Sequence, residues 1–432
     1  MQKISNFFAG AAVAAAFLVA VAPPVAAETL SESLASLVKI QKQIKAAEAD
    51  VDAAKERAEA AWGDWYPTLG VTGSYGKEKQ NKTTDTLDTE EVPRELDVSI
   101  TQQLWDFGSS NASIRSAKLS LTRARLNLVS TRQALILQGI EAHLNLMRAN
   151  KILGFAKGSV DNIRRQAKLE DARVQRGSGF TTDVLQAKTQ LAGSEARRNN
   201  FAGGLRNAIN AYRRFFGKEP GKVETLRLPR VPYEMVPKTL DALIGAMQES
   251  NPGLKVSKLD ADILNETIKK TRADELFPTL NATAETKRKM DVGGTIGQST
   301  EQLFKVELSY SLNLGLTGVN TLKASKQDHL AATERYIDAR ASFEQQARDL
   351  WSNFERDRLN AEFLKNQADI AAEFLELARR ERQLGNRSLI DVLAGETALI
   401  NSNSDATAAE TDVMLDVFRL INIMGKLEAD II

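Results

Sequence analysis

Leu303-Phe304-Lys305-Val306-Glu307-Leu308-Ser309-Tyr310-Ser311-Leu312-Asn313-Leu314 alternates between apolar and polar side chains from Phe304 onward. Phe304, Val306, Leu308, Tyr310, Leu312 and Leu314 fall on one face. Lys305, Glu307, Ser309, Ser311 and Asn313 fall on the other. A period of two across a whole segment predicts a β-strand. Full charges on the second face exclude a dry core there, so that side is wet. The same rhythm runs through Leu96, Val98, Ile100, Gln102 and Leu104, set against Asp97, Ser99, Thr101 and Gln103. Weaker copies occupy Leu69, Val71, Gly73 and Tyr75, and Leu280, Ala282, Ala284 and Thr286. These four segments form two hairpins. Their connections, Gln80 to Val92 and Met290 to Gln302, are rich in Thr, Asp, Glu, Gly and Asn, as suits solvent-facing loops.

The strand entries are duplicated. Trp65-Tyr66-Pro67-Thr68-Leu69 returns as Leu276-Phe277-Pro278-Thr279-Leu280. GSGFTTDVL, with Gly177 and Asp183, returns as GNRSLIDVL, with Gly385 and Asp391. Both pairs lie about 210 residues apart, which implies one structural unit used twice. Each unit also holds a very long helical stretch. No proline occurs from Ser109 to Arg176, and Leu119, Leu126, Leu137, Ile140 and Leu144 recur at helical spacing. At 1.5 Å per residue such a helix extends about 100 Å. Asn320 to Leu384 is its counterpart. Shorter helices are predicted from Thr182 to Phe216, from Lys238 to Ala273 with a weak point at Asn251-Pro252-Gly253, and from Leu389 to Leu427. The stretch from Lys222 to Pro237 carries Pro229, Pro232 and Pro237 and reads as a linker.

Four strands cannot close a membrane barrel, which needs about eight because lipid tolerates no open edge. Strands that span a membrane here therefore require an oligomer sharing one barrel. The N-terminus agrees with export. Lys3, an apolar run from Phe7 to Ala22 and Val25-Ala26-Ala27 before Glu28 read as a signal peptide over residues 1–27. No later apolar run is long enough for a membrane-spanning helix. The chain has no cysteine, which excludes disulfides, thiol chemistry and a lipidated cysteine. Lys and Arg total 57 against 56 Asp and Glu, giving no basic field for nucleic acid. There is no phosphate-binding Gly-x-x-x-x-Gly-Lys-Ser/Thr loop, and His143 and His329 form no zinc cluster. No enzyme activity, cofactor or metal is expected.

Two turns interrupt the helical stretches. Gly177-Ser178-Gly179 and Gly385-Asn386 each supply glycine where a helix ends in a left-handed residue. Ser388 stands at an N-cap position with Asp391 three residues on, and Asp183 takes the matching place after Phe180-Thr181-Thr182. Both aspartates serve a helix start by position. A further role requires symmetry to bring copies together.

Taken in order, these markers resemble the TolC family of outer-membrane efflux and type I secretion proteins. They are the duplicated Pro-Thr-Leu entries, Gln102-Gln103-Leu104-Trp105-Asp106-Phe107-Gly108, the two glycine-to-aspartate turns, and Asn251-Pro252 after the linker. The resemblance implies an α+β fold and a homotrimer. Each protomer would give four strands to one twelve-stranded outer-membrane barrel, continuous with a long periplasmic α-helical barrel. It implies repeats over 28–217 and 238–432, joined by an equatorial linker over 218–237. Phe304, Val306, Leu308, Tyr310 and Leu312 would face lipid, and Lys305, Glu307, Ser309 and Asn313 the lumen. Gly177, Gly179, Thr182, Asp183, Gly385, Arg387, Ser388 and Asp391 would form the periplasmic entrance and dock an adaptor. Ala394 stands where family members can carry a second acidic ring. The implied function is a passive exit duct of a type I secretion system, served by a periplasmic adaptor and an inner-membrane ABC transporter. The alternative is multidrug or metal efflux with a proton-driven pump. The rival class is a soluble coiled-coil scaffold, which the apolar face from Phe304 to Leu314 disfavours.

Overall fold

The structure, a computed structural model, describes residues 30–81, 88–221, 223 and 226–431. The signal-peptide reading and the middle of the first hairpin connection lie outside the described residues. Two helices open the described chain, α1 (Leu30–Ile40) and α2 (Lys42–Ala60). Strands β1 (Thr68–Tyr75), β2 (Glu78–Gln80), β3 (Thr89–Glu91) and β4 (Arg94–Trp105) follow, and then α3 (Ser109–Gln175) and α4 (Thr181–Phe216). The second half repeats this order with α5 (Leu240–Ser250), α6 (Pro252–Leu276), β5 (Thr279–Met290), β6 (Gln298–Ser309), α7 (Thr317–Gln383) and α8 (Leu389–Ile423). The weak point at Asn251 is a real break. Its side chain caps α6 by accepting from the Leu254 amide at 3.0 Å, and Pro252 occupies the first turn, where no amide is needed. Both α3 and α7 are 67 residues long and run unbroken. Among the described residues no helix is long and apolar enough to cross a membrane.

The main sheet is antiparallel with order β1-β4-β5-β6, so the two hairpins pair through β4 and β5. Direct pairs place like with like. Leu69 faces Ile100, Ile100 faces Ala284, and Ala284 faces Phe304. On the opposite side Asp97 pairs with Lys287 and Thr283 with Lys305. Strands β2 and β3 continue the first hairpin as a short ribbon, fastened by a Lys77–Glu90 ion pair.

The last strand differs from its sequence reading. It starts at Gln298, inside the predicted loop, and ends at Ser309. Tyr310, Leu312 and Asn313 therefore lie beyond it, although the alternation continues through them. Thr279 pairs with Ser309, and the residue just before β5 is Pro278, which has no amide to extend the ladder. Asn313 instead builds the turn into α7. Its Oδ1 accepts from the Gly315 amide at 2.8 Å, and its carbonyl oxygen accepts from the Leu316 amide at 3.0 Å. The first repeat makes the same elbow with Asp106, which accepts from the amides of Gly108 and Ser110.

The largest core lies where the helix halves meet. Leu34 and Leu37 of α1, Ile136, Ile140 and Leu144 of α3, Phe216 of α4, Met247 of α5 and Phe418 and Ile421 of α8 are all buried together. His143 is buried with them beside Tyr212, its Nε2 at 3.1 Å from the Arg227 carbonyl oxygen, and burial pushes its pKa down. Gly425 closes α8 at φ 71°, and a Cβ there would lie 2.6 Å from the Ser250 carbonyl oxygen and 2.9 Å from Pro252 Cδ. Gly425→Ala is expected to destabilise by about 2 kcal/mol or more, read as a lowered melting temperature. An unchanged melting curve would show that this junction tolerates the added atom.

Asp416 of α8 sits in the same region and is 3% exposed. Its Oδ1 accepts from Arg419 at 3.2 Å, and its Oδ2 has no hydrogen-bond donor. Asp357 of α7 faces it, itself held by Arg356 at 2.8 Å, while Arg419 also binds Glu141 of α3 at 2.9 Å. Burial, and then Asp357, push the Asp416 carboxyl up to about 6 against the pull of Arg419. The folded chain thus binds this proton more tightly than the unfolded one. Stability from this group is present at acid pH and is lost as pH rises from 3.8 to about 6. Asp416→Asn is expected to flatten that slope, shrinking the melting-temperature difference across the window by about 2 °C. An unaltered slope would assign it to other groups.

Candidate functional site

Two places carry the features that the sequence singles out: the sheet with its two unlike faces, and the turns at the far ends of the long helices. On the charged face of the sheet every basic residue has an acidic partner. Lys287 lies 2.7 Å from Glu285 and 3.6 Å from Asp97. Lys289 lies 2.8 Å from Glu301, and Lys305 lies 2.5 Å from Glu307. Ser309 ends β6 on this face. On the other face Phe304, Val306 and Leu308 are exposed, Phe304 being 76% exposed and Leu308 64%. Tyr310 and Leu312 are exposed as well, between the end of the strand and the turn that Asn313 starts.

At the other end the two turns are built alike. Gly177 (φ 74°) and Gly385 (φ 82°) end α3 and α7. The Ser178 amide donates back to the Arg173 carbonyl at 3.0 Å, and the Asn386 amide to that of Glu381 at 2.9 Å, the pattern of a left-handed helix stop. Gly179 is needed for closeness. A Cβ there would meet Arg173 Cβ at 3.0 Å and the Val174 nitrogen at 3.1 Å. Ser388 caps α8 by accepting from the Asp391 amide at 3.2 Å, so the cap belongs to the hydroxyl. The Asp391 carboxylate is exposed and forms no hydrogen bond or ion pair among the described residues. Thr182 is exposed in the first turn of α4.

The residue that joins the two turns was not among the sequence candidates. Arg382 of α7 donates to Glu170 of α3 at 3.0 Å, to Asp183 of α4 at 3.3 Å and to the Arg387 carbonyl at 3.3 Å. It thereby ties the first helix hairpin to the second. Glu170 is only 2% exposed and is also held by Arg173 at 3.0 Å. Arg387 itself bonds Glu381 at 2.6 Å and lies over the Phe374 ring at 5.2 Å. One layer higher, buried Glu396 of α8 binds Arg379 of α7 and Asn162 of α3. Ile163, Ala167, Ala187, Leu389 and Leu393 pack beneath these bonds as a small apolar core between the hairpins. In sequence, Arg382, Glu170 and Glu396 read as ordinary charges on a solvated helix face. Their one signal is that Arg382 stands three residues before the helix-ending glycine.

A sheet with a bare apolar face, set on helices of about 100 Å, defines a membrane conduit rather than a catalyst. Comparison with known proteins agrees. The family model described as outer membrane efflux protein matches residues 36–218 and again 243–426, and the chain belongs to that family. It is 25% identical over 445 residues to the outer membrane protein TolC of Vibrio cholerae, covering 99% of this chain and 96% of that one. It is 23% identical over 407 residues to the outer membrane efflux protein BepC of Brucella suis, covering 93% and 86%. Among solved structures, the outer-membrane channel OprN superposes with a TM-score of 0.81 at 18% identity, covering 92% of this chain and 90% of that one. The outer membrane protein VceC of Vibrio cholerae gives 0.78 at 16% identity, covering 92% and 96%. The fold is TolC-like, the protein is an outer-membrane channel, and its long helices form the periplasmic part.

Proposed function

We propose that three copies of this chain join their sheets edge to edge into one twelve-stranded barrel, which the helices continue as a tunnel. Residues 28–217 and 238–432 then act as two copies of one unit, joined by 218–237, after a signal peptide over 1–27 is removed. The observation that carries this reading is the sheet itself. Its apolar face is bare, and its edge strands β1 and β6 each lack a second neighbour among the described residues. Lipid tolerates neither an open edge nor an unclosed sheet, and three copies meet both needs. Phe304, Val306 and Leu308 face lipid, and Lys305, Glu307 and Ser309 face the lumen.

The duct serves as the passive exit of a type I secretion system. A periplasmic adaptor and an inner-membrane ABC transporter deliver protein substrate to the tips at Gly177, Gly179, Thr182, Asp183, Gly385, Arg387, Ser388 and Asp391. The run Asn386 to Leu393 supports this reading. The efflux name of the Brucella suis relative supports the second, export of drugs or metals with a proton-driven pump. The two are separated in a host lacking any such duct, given this chain with each kind of transporter. Appearance of the secreted protein in the medium supports the first. Restored drug or metal tolerance without protein export replaces it with the second.

The free Asp391 carboxylate supports a ring of three charges at the entrance. Asp391→Asn is expected to weaken divalent-cation block of single channels several-fold, because unit charges a few ångströms apart couple by about 1–4 kcal/mol in wet surroundings. Melting should hardly change, since Ser388 makes the cap. Unchanged block would remove Asp391 from the gate.

A further inference from the structure

On the face that the proposed function turns to lipid, two cations have no carboxylate partner among the described residues. Arg94 of β4 and Arg288 of β5 share the face of Leu96, Val98, Ile100 and Phe304, since Arg288 pairs directly with Leu96. Both are exposed. Among the described residues neither forms an ion pair or hydrogen bond. The one contact is Arg94 over the ring of its cross-strand partner Tyr75, at 5.6 Å. Lysines of the opposite face of the same sheet behave otherwise: Lys287, Lys289 and Lys305 all sit on carboxylates. From β1 to β6, no aligned position of the outward face holds Asp or Glu.

Position adds a second constraint. Arg94 pairs with Met290, so Arg288 is its diagonal neighbour on the adjacent strand. Diagonal neighbours lie about 7–8 Å apart, close enough for two guanidinium groups to repel or to grip one anion between them. Arg288 is four residues from Ala284, the middle of the apolar band, which is about 13 Å along the strand. That is the edge of a band about 25 Å tall. It is the edge nearest the hairpin turns, at the opposite end from α3 and α7, and hence the outer one. An aromatic ring beside it suits that interface.

We propose that Arg94 and Arg288 form a phosphate-binding clamp for the phosphorylated glycolipids of the outer leaflet. The planar forks of two arginines match phosphate oxygens, and Tyr75 holds Arg94 in place beside the acyl chains. The clamp is complete within one protomer, because β4 and β5 are neighbours in the same chain. With no carboxylate on that face, the contact is direct and needs no divalent ion to bridge it.

The test uses the full channel in zwitterionic nanodiscs containing chelator, titrated with bis-phosphorylated lipid A, with dephosphorylated lipid A and with inorganic phosphate. Wild-type protein is expected to bind the phosphorylated form at least about tenfold more tightly than the dephosphorylated one. Arg94→Gln combined with Arg288→Gln should erase that preference. Arg94→Lys with Arg288→Lys should keep part of it, which separates lost charge from lost folding. Lys289→Gln, on the lumen side, should leave it intact. Equal binding of both lipids by the wild type, or an undiminished preference in the double Gln variant, overturns the proposal. So does displacement of lipid A by millimolar inorganic phosphate, which would show a free-anion site instead.

Discussion

Phe304→Arg is expected to remove most of the assembled channel from the outer membrane. Phe304 sits mid-strand opposite Ala284, in a row that continues through Ile100 to Leu69. A basic residue at the centre of a lipid face costs about 2–4 kcal/mol, and symmetry repeats the cost in every protomer. Leu308→Asp, one residue from the end of β6, should do less, since the penalty falls toward the interface. Glu307→Gln, on the opposite face, loses only an exposed pair with Lys305, worth under about 1 kcal/mol. The measurement is the heat-resistant oligomer recovered from outer-membrane fractions. Equal recovery of Phe304→Arg and Glu307→Gln would reverse the assignment of faces.

Arg382→Ala is expected to open the periplasmic end. One guanidinium holds Glu170, Asp183 and the Arg387 carbonyl, and so holds three helices and a turn together. Its loss leaves Glu170 buried with Arg173 alone and releases Asp183. Removing one partner from a buried charged bond costs about 1–3 kcal/mol, enough to shift a closed entrance about fivefold or more toward open. Larger and longer single-channel openings should result. Arg382→Lys should rescue only in part, because an ammonium cannot span the same partners as a fork. Arg380→Ala breaks an exposed pair with Glu376 and should change nothing. Wild-type conductance in Arg382→Ala would show that the two hairpins are held by the apolar core of Ile163, Ala187 and Leu393 instead.

Local rules made much of this architecture readable. Period-two alternation located β4 and β6, absence of proline and three-four spacing located α3 and α7, and glycine marked both helix stops. Alternation misled at Tyr310, Leu312 and Asn313, because whether a strand continues depends on its neighbour. Pro278, just before β5, ends the ladder, and Asn313 turns the chain. Glycine and capping chemistry likewise identified the turns at Gly177 and Gly385 but not what joins them. Arg382 finds Glu170 some 212 positions away, a contact made only once four helices pack side by side. Aspartate at a helix start was ambiguous in sequence. In the fold Asp183 is bound by Arg382 while Asp391 is free, since Ser388 has taken the cap. The clamp of Arg94 and Arg288 was hidden for a related reason: register alone places them on one face.

The shared barrel is the claim on which the duct depends, and a chain without cysteine allows a clean test. One cysteine is introduced into β1 as Val71→Cys and one into β6 as Phe304→Cys, Val306→Cys or Leu308→Cys in turn, followed by oxidation in outer membranes. At least one pair is expected to yield a covalently closed ring of three chains, resistant to boiling in detergent and restored to monomer by reductant. Monomers with internal disulfides, or chains linked only in twos, would contradict it.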